Sequence, residues 1–192
     1  MTALILNLDA LAPLSDKRFY ELCRANRELR LERTSHGELI AMPPAGGKSG
    51  NRNFRLIGQL YAWVEYTGLG IGFDSSTGFV LANGAIRSPD AAWVSQESWE
   101  VLSSDEQEKF LPLCPDFVVE LRSATDELKP LQMKMQEYLD NGVALGWLID
   151  PQTRQVEIYR ANGDVEILLA PTNLSGEAVL PEFVLDLQGI LD

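Results

Sequence analysis

One short stretch, FVVEL at 117–121, constrains the fold of this chain most. Its apolar residues predict a buried strand, and a single glutamate interrupts them. Apolar residues at helical spacing follow this strand from Leu131 to Leu139, and Asn141 and Gly142 end that pattern. A second apolar run, GWLID, comes next. Two apolar strands joined by one helix are typical of a βαβ crossover, in which the strands are parallel neighbours covered on both faces. The sequence therefore predicts an α/β fold.

Hairpins and helices account for most of the remaining chain. LRLERT and GELIAM alternate apolar with polar residues on either side of Ser35, His36 and Gly37, and QVEIYR and VEILLA do so around an Asn-Gly turn. Each pair predicts a β-hairpin. Ser15 precedes an amphipathic stretch that predicts a first helix.

The segment between the first hairpin and FVVEL predicts a loop, a helix and a meander. PPAGGKSG predicts a loop, and it lacks the spacing of a phosphate-binding P-loop. Residues 51–67 predict a helix whose apolar face carries Phe54, Ile57, Leu60, Tyr61 and Val64. GIGF, GFVLA, AIRS and AAWV then predict an antiparallel meander.

Composition limits the class of protein. A chain of 192 residues that is 45% hydrophobic fits one domain, residues 1–192, with a core that needs no disulfide. Cys23 and Cys114 are expected to be reduced, buried thiols. The N-terminal stretch has no basic region typical of a signal peptide and no run could span a bilayer, so we expect a cytoplasmic protein with no membrane partner. The net charge of −12 argues against a general affinity for nucleic acid.

Glu120, inside FVVEL, needs a compensating partner, since an unpaired carboxylate is costly to bury. Strand alternation puts Glu120 and Arg122 on the same side, so an internal ion pair between them is one explanation. The other explanation is a functional site that also includes Asp90, where Pro89 breaks the ladder just before the strand AAWV. An aspartate after a proline is also common in turns, and spacing alone leaves both readings open.

Lys134 is the cation that could join this site. It lies at the edge of the apolar stripe of the helix that directly follows Glu120, although a lone lysine there could simply extend its charge to solvent. The single histidine, His36, falls in a predicted turn, which makes a histidine-based metal site or catalytic dyad a poor explanation.

The order of these residues resembles a known family. The matching positions are Pro89 and Asp90, then Glu120, Leu121, Arg122 and Ser123, then Lys134, Tyr138, Gly142, Trp147, Asp150 and Pro151. From about residue 13 to residue 187 the chain resembles a bacterial family of restriction-endonuclease-like proteins, often called Uma-two, within the PD-(D/E)xK superfamily. The resemblance implies a restriction-endonuclease-like fold with a mixed central sheet flanked by helices and with added β-hairpins.

The resemblance also implies a site and an activity. Asp90 and Glu120 would bind Mg²⁺ or Mn²⁺, and Glu32 matches an early acidic residue that assists the metal, unless it is an exposed hairpin residue. The superfamily pattern has a lysine two residues after the glutamate, whereas this chain has Arg122 there, and an arginine cannot act as a base. The resemblance therefore implies that Lys134 takes the place of that lysine, and that Arg122 would stabilise phosphate charge or brace Glu120.

The expected function is a metal-dependent endonuclease that hydrolyses phosphodiester bonds in nucleic acid, most simply DNA, and that forms a homodimer by analogy. The alternative is a catalytically inactive descendant of the fold that binds protein or nucleic acid.

Overall fold

The computed structural model describes residues 4–8 and 14–192, so part of the N-terminal stretch in which no signal peptide was expected lies outside the described residues. The strands are β1 (Leu4–Leu6), β2 (Arg30–Arg33), β3 (Leu39–Met42), β4 (Gly70–Asp74), β5 (Phe79–Val80), β6 (Ile86–Arg87), β7 (Ala91–Ser95), β8 (Phe117–Leu121), β9 (Leu145–Asp150), β10 (Gln155–Arg160), β11 (Val165–Leu169), β12 (Asn173–Ser175) and β13 (Val184–Asp186). The helices are α1 (Asp16–Ala25), α2 (Gly47–Thr67), α3 (Gln96–Glu100), α4 (Ser104–Gln107) and α5 (Leu128–Asp140).

A mixed six-stranded sheet in the order β11-β10-β9-β8-β7-β4 forms the centre of the fold. β8 and β9 run parallel, with Phe117 opposite Leu145, and every other pair in this sheet is antiparallel. α5 connects the two parallel strands. The predicted βαβ crossover and the predicted hairpin of β10 and β11 are therefore confirmed.

A five-stranded sheet in the order β1-β3-β2-β6-β5 adjoins the first one and includes the predicted hairpin of β2 and β3. The predicted single meander is wrong, because β4 and β7 pair in the larger sheet while β5 and β6 pair in the smaller one. Ser88, Pro89 and Asp90 connect β6 to β7. Pro89 has no N–H to donate to a ladder, which suits a segment that leaves one sheet and enters the next.

Helices cover both faces of the central sheet. α5 packs Met135 and Tyr138 against one face, and α2 packs Leu56, Leu60 and Trp63 against the other. This arrangement agrees with the predicted sheet flanked by helices.

The start of α2 and the direction of its buried face differ from the predictions. The helix begins at Gly47 rather than at 51, so the second half of the predicted PPAGGKSG loop is helical. Phe54 and Tyr61, which were predicted on the buried face, are 77% and 61% exposed. Trp63 selects the face instead: its ring lies 5.6 Å from that of Trp93, and its indole N–H donates to a backbone carbonyl.

The first helix lies on the smaller sheet, and neither cysteine forms a disulfide. α1 packs Phe19 against the five-stranded sheet, and Ser15 caps the helix by accepting from the Arg18 N–H. Cys23 and Cys114 are free thiols, but they are partly rather than fully buried. Among the described helices, none combines the length and apolar character needed to cross a membrane.

Candidate active site

Four charged side chains predicted from the sequence meet at one end of the central sheet. Glu32 comes from β2, Asp90 from the segment just before β7, Glu120 from β8 and Lys134 from α5. β7 and β8 pair with Ala91 opposite Val119, so Asp90 lies beside the end of β8, where its Oδ2 accepts a hydrogen bond of 2.9 Å from the Leu121 N–H. We refer to Glu32, Asp90, Glu120 and Lys134 as the acidic cluster.

Lys134 ties the acidic cluster together. Its Nζ lies 2.7 Å from Glu120 Oε1 and 2.8 Å from Glu32 Oε1. One turn further along α5, the Tyr138 hydroxyl donates to the same Glu120 oxygen at 3.2 Å. Lys134 is therefore paired inside the site, and the alternative in which it extends its charge freely to solvent is wrong.

Glu32 is only 2% exposed, so the alternative in which it lies on an open hairpin face is also wrong. Its Oε1 accepts from Lys134 and from the Ser88 N–H at 2.9 Å, and its Oε2 lies 3.2 Å from Arg87. Both oxygens of Glu32 are thus engaged by protein donors.

Arg87 was not singled out from the sequence. Its guanidinium contacts Glu32 on one side and Glu137 of α5 on the other, where Nε lies 2.5 Å from Glu137 Oε2. This pairing links β6 to α5 beneath the acidic cluster. The available signal was a charged residue next to Ile86 in a short apolar strand, the same signal that identified Glu120.

Arg122 makes its contacts away from the acidic cluster. β8 ends at Leu121, and the Arg122 guanidinium pairs with Asp150 at 2.8 Å and donates to the Asp126 carbonyl at 3.0 Å. The predicted ion pair between Glu120 and Arg122, and the bracing of Glu120 by Arg122, are therefore wrong. The ladder continues at Arg122, whose N–H donates to the Ile149 carbonyl at 2.9 Å, so the prediction failed in the choice of partner: Arg122 pairs with Asp150 of the neighbouring strand β9.

Arg30 is a further cation near the acidic cluster that sequence reasoning missed. It precedes Glu32 by two residues on β2, and its Nη2 donates to the Ser75 carbonyl at 3.0 Å. Ser75 directly follows β4, in which Asp74 pairs with Ala91, so this contact brings the guanidinium towards Asp90. The positive charge of Arg30 lowers the pKa of Asp90, but burial raises that pKa by more.

Burial raises the pKa values of Glu120 and Asp90. Glu120 is 4% exposed, and burial together with the nearby charges of Asp90 and Glu32 raises its pKa to about 7 despite Lys134. The pKa of Asp90 is also raised, chiefly by burial. Close carboxylates that share a site are difficult to ionise together.

The other two members of the cluster are held in their charged forms. Burial opposes ionisation of Glu32, but Lys134 and Arg87 outweigh it and lower the pKa of Glu32. Burial likewise opposes the charge of Lys134, but Glu120 and Glu32 raise its pKa above the ordinary value. Lys134 is therefore a cation, not a base, at neutral pH.

The free oxygens of the cluster define what it could bind. Asp90 Oδ1 and Glu120 Oε2 accept no hydrogen bond from the described part of the chain. Within residues 4–8 and 14–192, no group of three or more His, Cys, Asp or Glu side chains is arranged to hold a metal ion. Mg²⁺ usually takes one or two protein carboxylates and completes its shell with waters and substrate phosphates, so a pair of carboxylates is a sufficient protein contribution.

Comparison with known proteins identifies the family. The family model Uma2, described as "Putative restriction endonuclease", matches residues 16–188. The chain belongs to this family. The predicted Uma-two resemblance is thereby confirmed.

A solved structure agrees with the fold assignment of this Uma2 protein. The crystal structure of a "putative nuclease belonging to DUF820" from Anabaena variabilis ATCC 29413 superposes with a TM-score of 0.72, covers 85% of this chain and 90% of its own, and is 19% identical. At this identity the likeness establishes the fold. The comparison with curated proteins gives no match.

Proposed function

We propose that this Uma2 protein is a Mg²⁺-dependent endonuclease that hydrolyses phosphodiester bonds in DNA. The observation that supports this most directly is the position of the Lys134 ammonium, held 2.7 Å from Glu120 at the sheet end where Asp90 also lies. Two carboxylates with free oxygens can hold a divalent metal, and a fixed cation beside them can stabilise charge on a phosphodiester during metal-assisted hydrolysis.

Asp90 and Glu120 are the proposed metal ligands, through the two oxygens that accept no protein hydrogen bond. When bound there, Mg²⁺ would lower the pKa of a coordinated water and neutralise charge on the transferring phosphoryl group. The Leu121 N–H holds the other oxygen of Asp90, and Lys134 and Tyr138 hold the other oxygen of Glu120. These contacts fix both carboxylates before a metal arrives.

Lys134 is proposed to stabilise charge on the scissile phosphate. An ammonium has three donors, and Glu120 and Glu32 take two of them, so one remains for a phosphate oxygen. Because its pKa is raised, Lys134 keeps its proton throughout the neutral range. It acts as an oriented positive charge and not as the group that deprotonates water.

Glu32 is proposed to act through Lys134 and not as a metal ligand, in a change from the role that the family resemblance implied. Both of its oxygens are occupied, and Lys134 and Arg87 hold it in the ionised form. Arg122 is omitted from the proposed catalytic set because Asp150 and Asp126 engage its guanidinium.

Calorimetric titration of Mg²⁺ and Mn²⁺ tests the metal site without requiring a known substrate. The wild-type protein and Asp140→Asn, which removes an exposed carboxylate from α5, should bind the metal, whereas Asp90→Asn should not. Asparagine can still accept from the Leu121 N–H, so the isosteric change leaves the local structure in place. Cleavage of DNA in Mg²⁺ should disappear in the same variant.

Equal metal binding and equal cleavage by the wild type and Asp90→Asn would refute the assignment. A wild type that binds no divalent cation and cleaves no DNA would favour an inactive descendant of the fold, a reading that the net charge of −12 also supports. The homodimer expected by analogy with endonucleases that cut two strands remains a proposal, and light scattering on the wild type decides it.

A further inference from the structure

Arg30 differs from the other cations near the acidic cluster in having no carboxylate partner. Lys134, Arg87 and Arg122 all form ion pairs at 3.2 Å or less. Arg30 forms none with the described residues, and Ser75 takes one hydrogen bond from its Nη2. Its Nε is buried without a hydrogen-bond partner, and its Nη1 makes no hydrogen bond with the described chain.

An unpaired buried donor is costly, so a position of this kind calls for a partner, which a water or a ligand can supply. Here the donor belongs to a permanent cation, which would be expected to pair with one of the nearby acids. The Ser75 carbonyl instead fixes the guanidinium beside the strand pair of β4 and β7, next to Asp90 but not in an ion pair with it. Arg30 is partly exposed, so a ligand can reach it from solvent.

We propose that Arg30 binds a phosphate group of the nucleic-acid substrate, beside the phosphate at which Asp90 and Glu120 hold the metal. This inference rests on the proposed function and deepens it, because it names the residue that recognises the polyanion. Guanidinium groups suit phosphate oxygens through short, charge-assisted hydrogen bonds. In a protein with a net charge of −12, affinity for a polyanion must come from such local cations, and among the described cations near the acidic cluster Arg30 is the one that forms no ion pair.

The test separates binding of DNA from binding of metal. Fluorescence anisotropy measures the affinity of a labelled DNA duplex over a range of salt concentrations, with Ca²⁺ in place of Mg²⁺ because its looser geometry disfavours catalysis. Calorimetry measures Mn²⁺ binding in the absence of DNA. The proteins are the wild type, Arg30→Ala, Arg30→Lys and Arg18→Ala, the last removing an exposed arginine from α1 as a control for net charge.

Arg30→Ala should weaken DNA binding about tenfold to a hundredfold, the range expected for a charge-assisted hydrogen bond. The slope of log affinity against log salt should fall by about one, as for the loss of one phosphate contact. Arg30→Lys should keep most of the salt dependence and bind less tightly than the wild type, and Arg18→Ala should bind as the wild type does. Mn²⁺ affinity in Arg30→Ala should be unchanged or slightly higher, since a positive charge near Asp90 is removed.

Two results would overturn the inference alone: DNA affinity and salt slope in Arg30→Ala equal to those of the wild type, or a parallel loss of Mn²⁺ binding, which would make Arg30 structural. A wild type that binds neither Mn²⁺ nor the duplex would overturn the proposed function and this inference with it.

Discussion

Replacing Glu120 by glutamine should stabilise the metal-free protein at alkaline pH, although it removes a residue of the proposed active site. Glu120 is buried beside Asp90 and Glu32, and its pKa in the folded protein is about 7. Its ordinary value, which applies to the unfolded chain, is 4.5. Ionised Glu120 therefore destabilises the folded state, whereas glutamine has the same shape, is neutral and does not.

The size and sign of this effect follow from proton linkage. A carboxyl group whose pKa is higher in the folded state binds more protons when folded, so the fold loses stability as pH rises between 4.5 and about 7. Each tenfold change in proton affinity corresponds to about 1.4 kcal/mol, which gives a total of about 3 kcal/mol. The penalty is absent below pH 4.5 and complete by pH 8.

Urea unfolding of the wild type and Glu120→Gln in EDTA, from pH 4 to pH 8, measures the difference directly. The stability of the variant relative to the wild type should increase by about 3 kcal/mol over this interval, whereas Glu21→Gln, an exposed change on α1, should show no such trend. Saturating Mg²⁺ should stabilise the wild type at pH 8 and leave Glu120→Gln unaffected. Parallel pH profiles for the wild type and Glu120→Gln would refute the reasoning.

Two further sets of variants test the framework around the site, each by urea unfolding. Arg87→Met leaves Glu32 buried without its guanidinium partner and should cost about 3–5 kcal/mol together with most of the cleavage activity; near-wild-type values would show that the pair is dispensable. Gly58→Ala, in an open position within α2, should stabilise the protein by about 1 kcal/mol, whereas Gly70→Ala should cost about 3 kcal/mol or more because its new Cβ would lie 2.2 Å from the Val94 carbonyl oxygen. The same sign for both glycine variants would contradict the packing described.

The parts of the fold that were predictable are those encoded by local periodicity. The passage from β8 through α5 to β9 has a clear change from strand to helical spacing, and its parallel pairing follows from the crossover. The division of β4 to β7 between two sheets was not predictable, because alternation along a strand says nothing about which neighbour it pairs with. The face of α2 was misjudged for a related reason, since its aromatic residues offer two apolar stripes and only the contact with Trp93 selects one.

The residues of the candidate site likewise divide into those that could be predicted from the sequence and those that could not. The resemblance supplied Asp90, Glu120 and Lys134, and the fold brings these three together with Glu32. The roles of Arg30 and Arg87 depend on partners from 45 to 55 residues away in the chain, so no spacing in the sequence encodes them. Long-range pairing of charges is a property of the folded arrangement, and it appears only when that arrangement is known.

The short passage from β6 to β7 makes the two sheets mechanically dependent on each other. β6 ends at Arg87 and β7 begins at Ala91, and a tether of this length spans at most about 14 Å when fully extended. Asp90 lies within the tether, while Glu32 belongs to the smaller sheet and Glu120 to the larger one. Neither sheet can shift without moving a carboxylate, so a substitution that loosens the smaller sheet reaches the chemistry through the contact between Glu32 and Lys134.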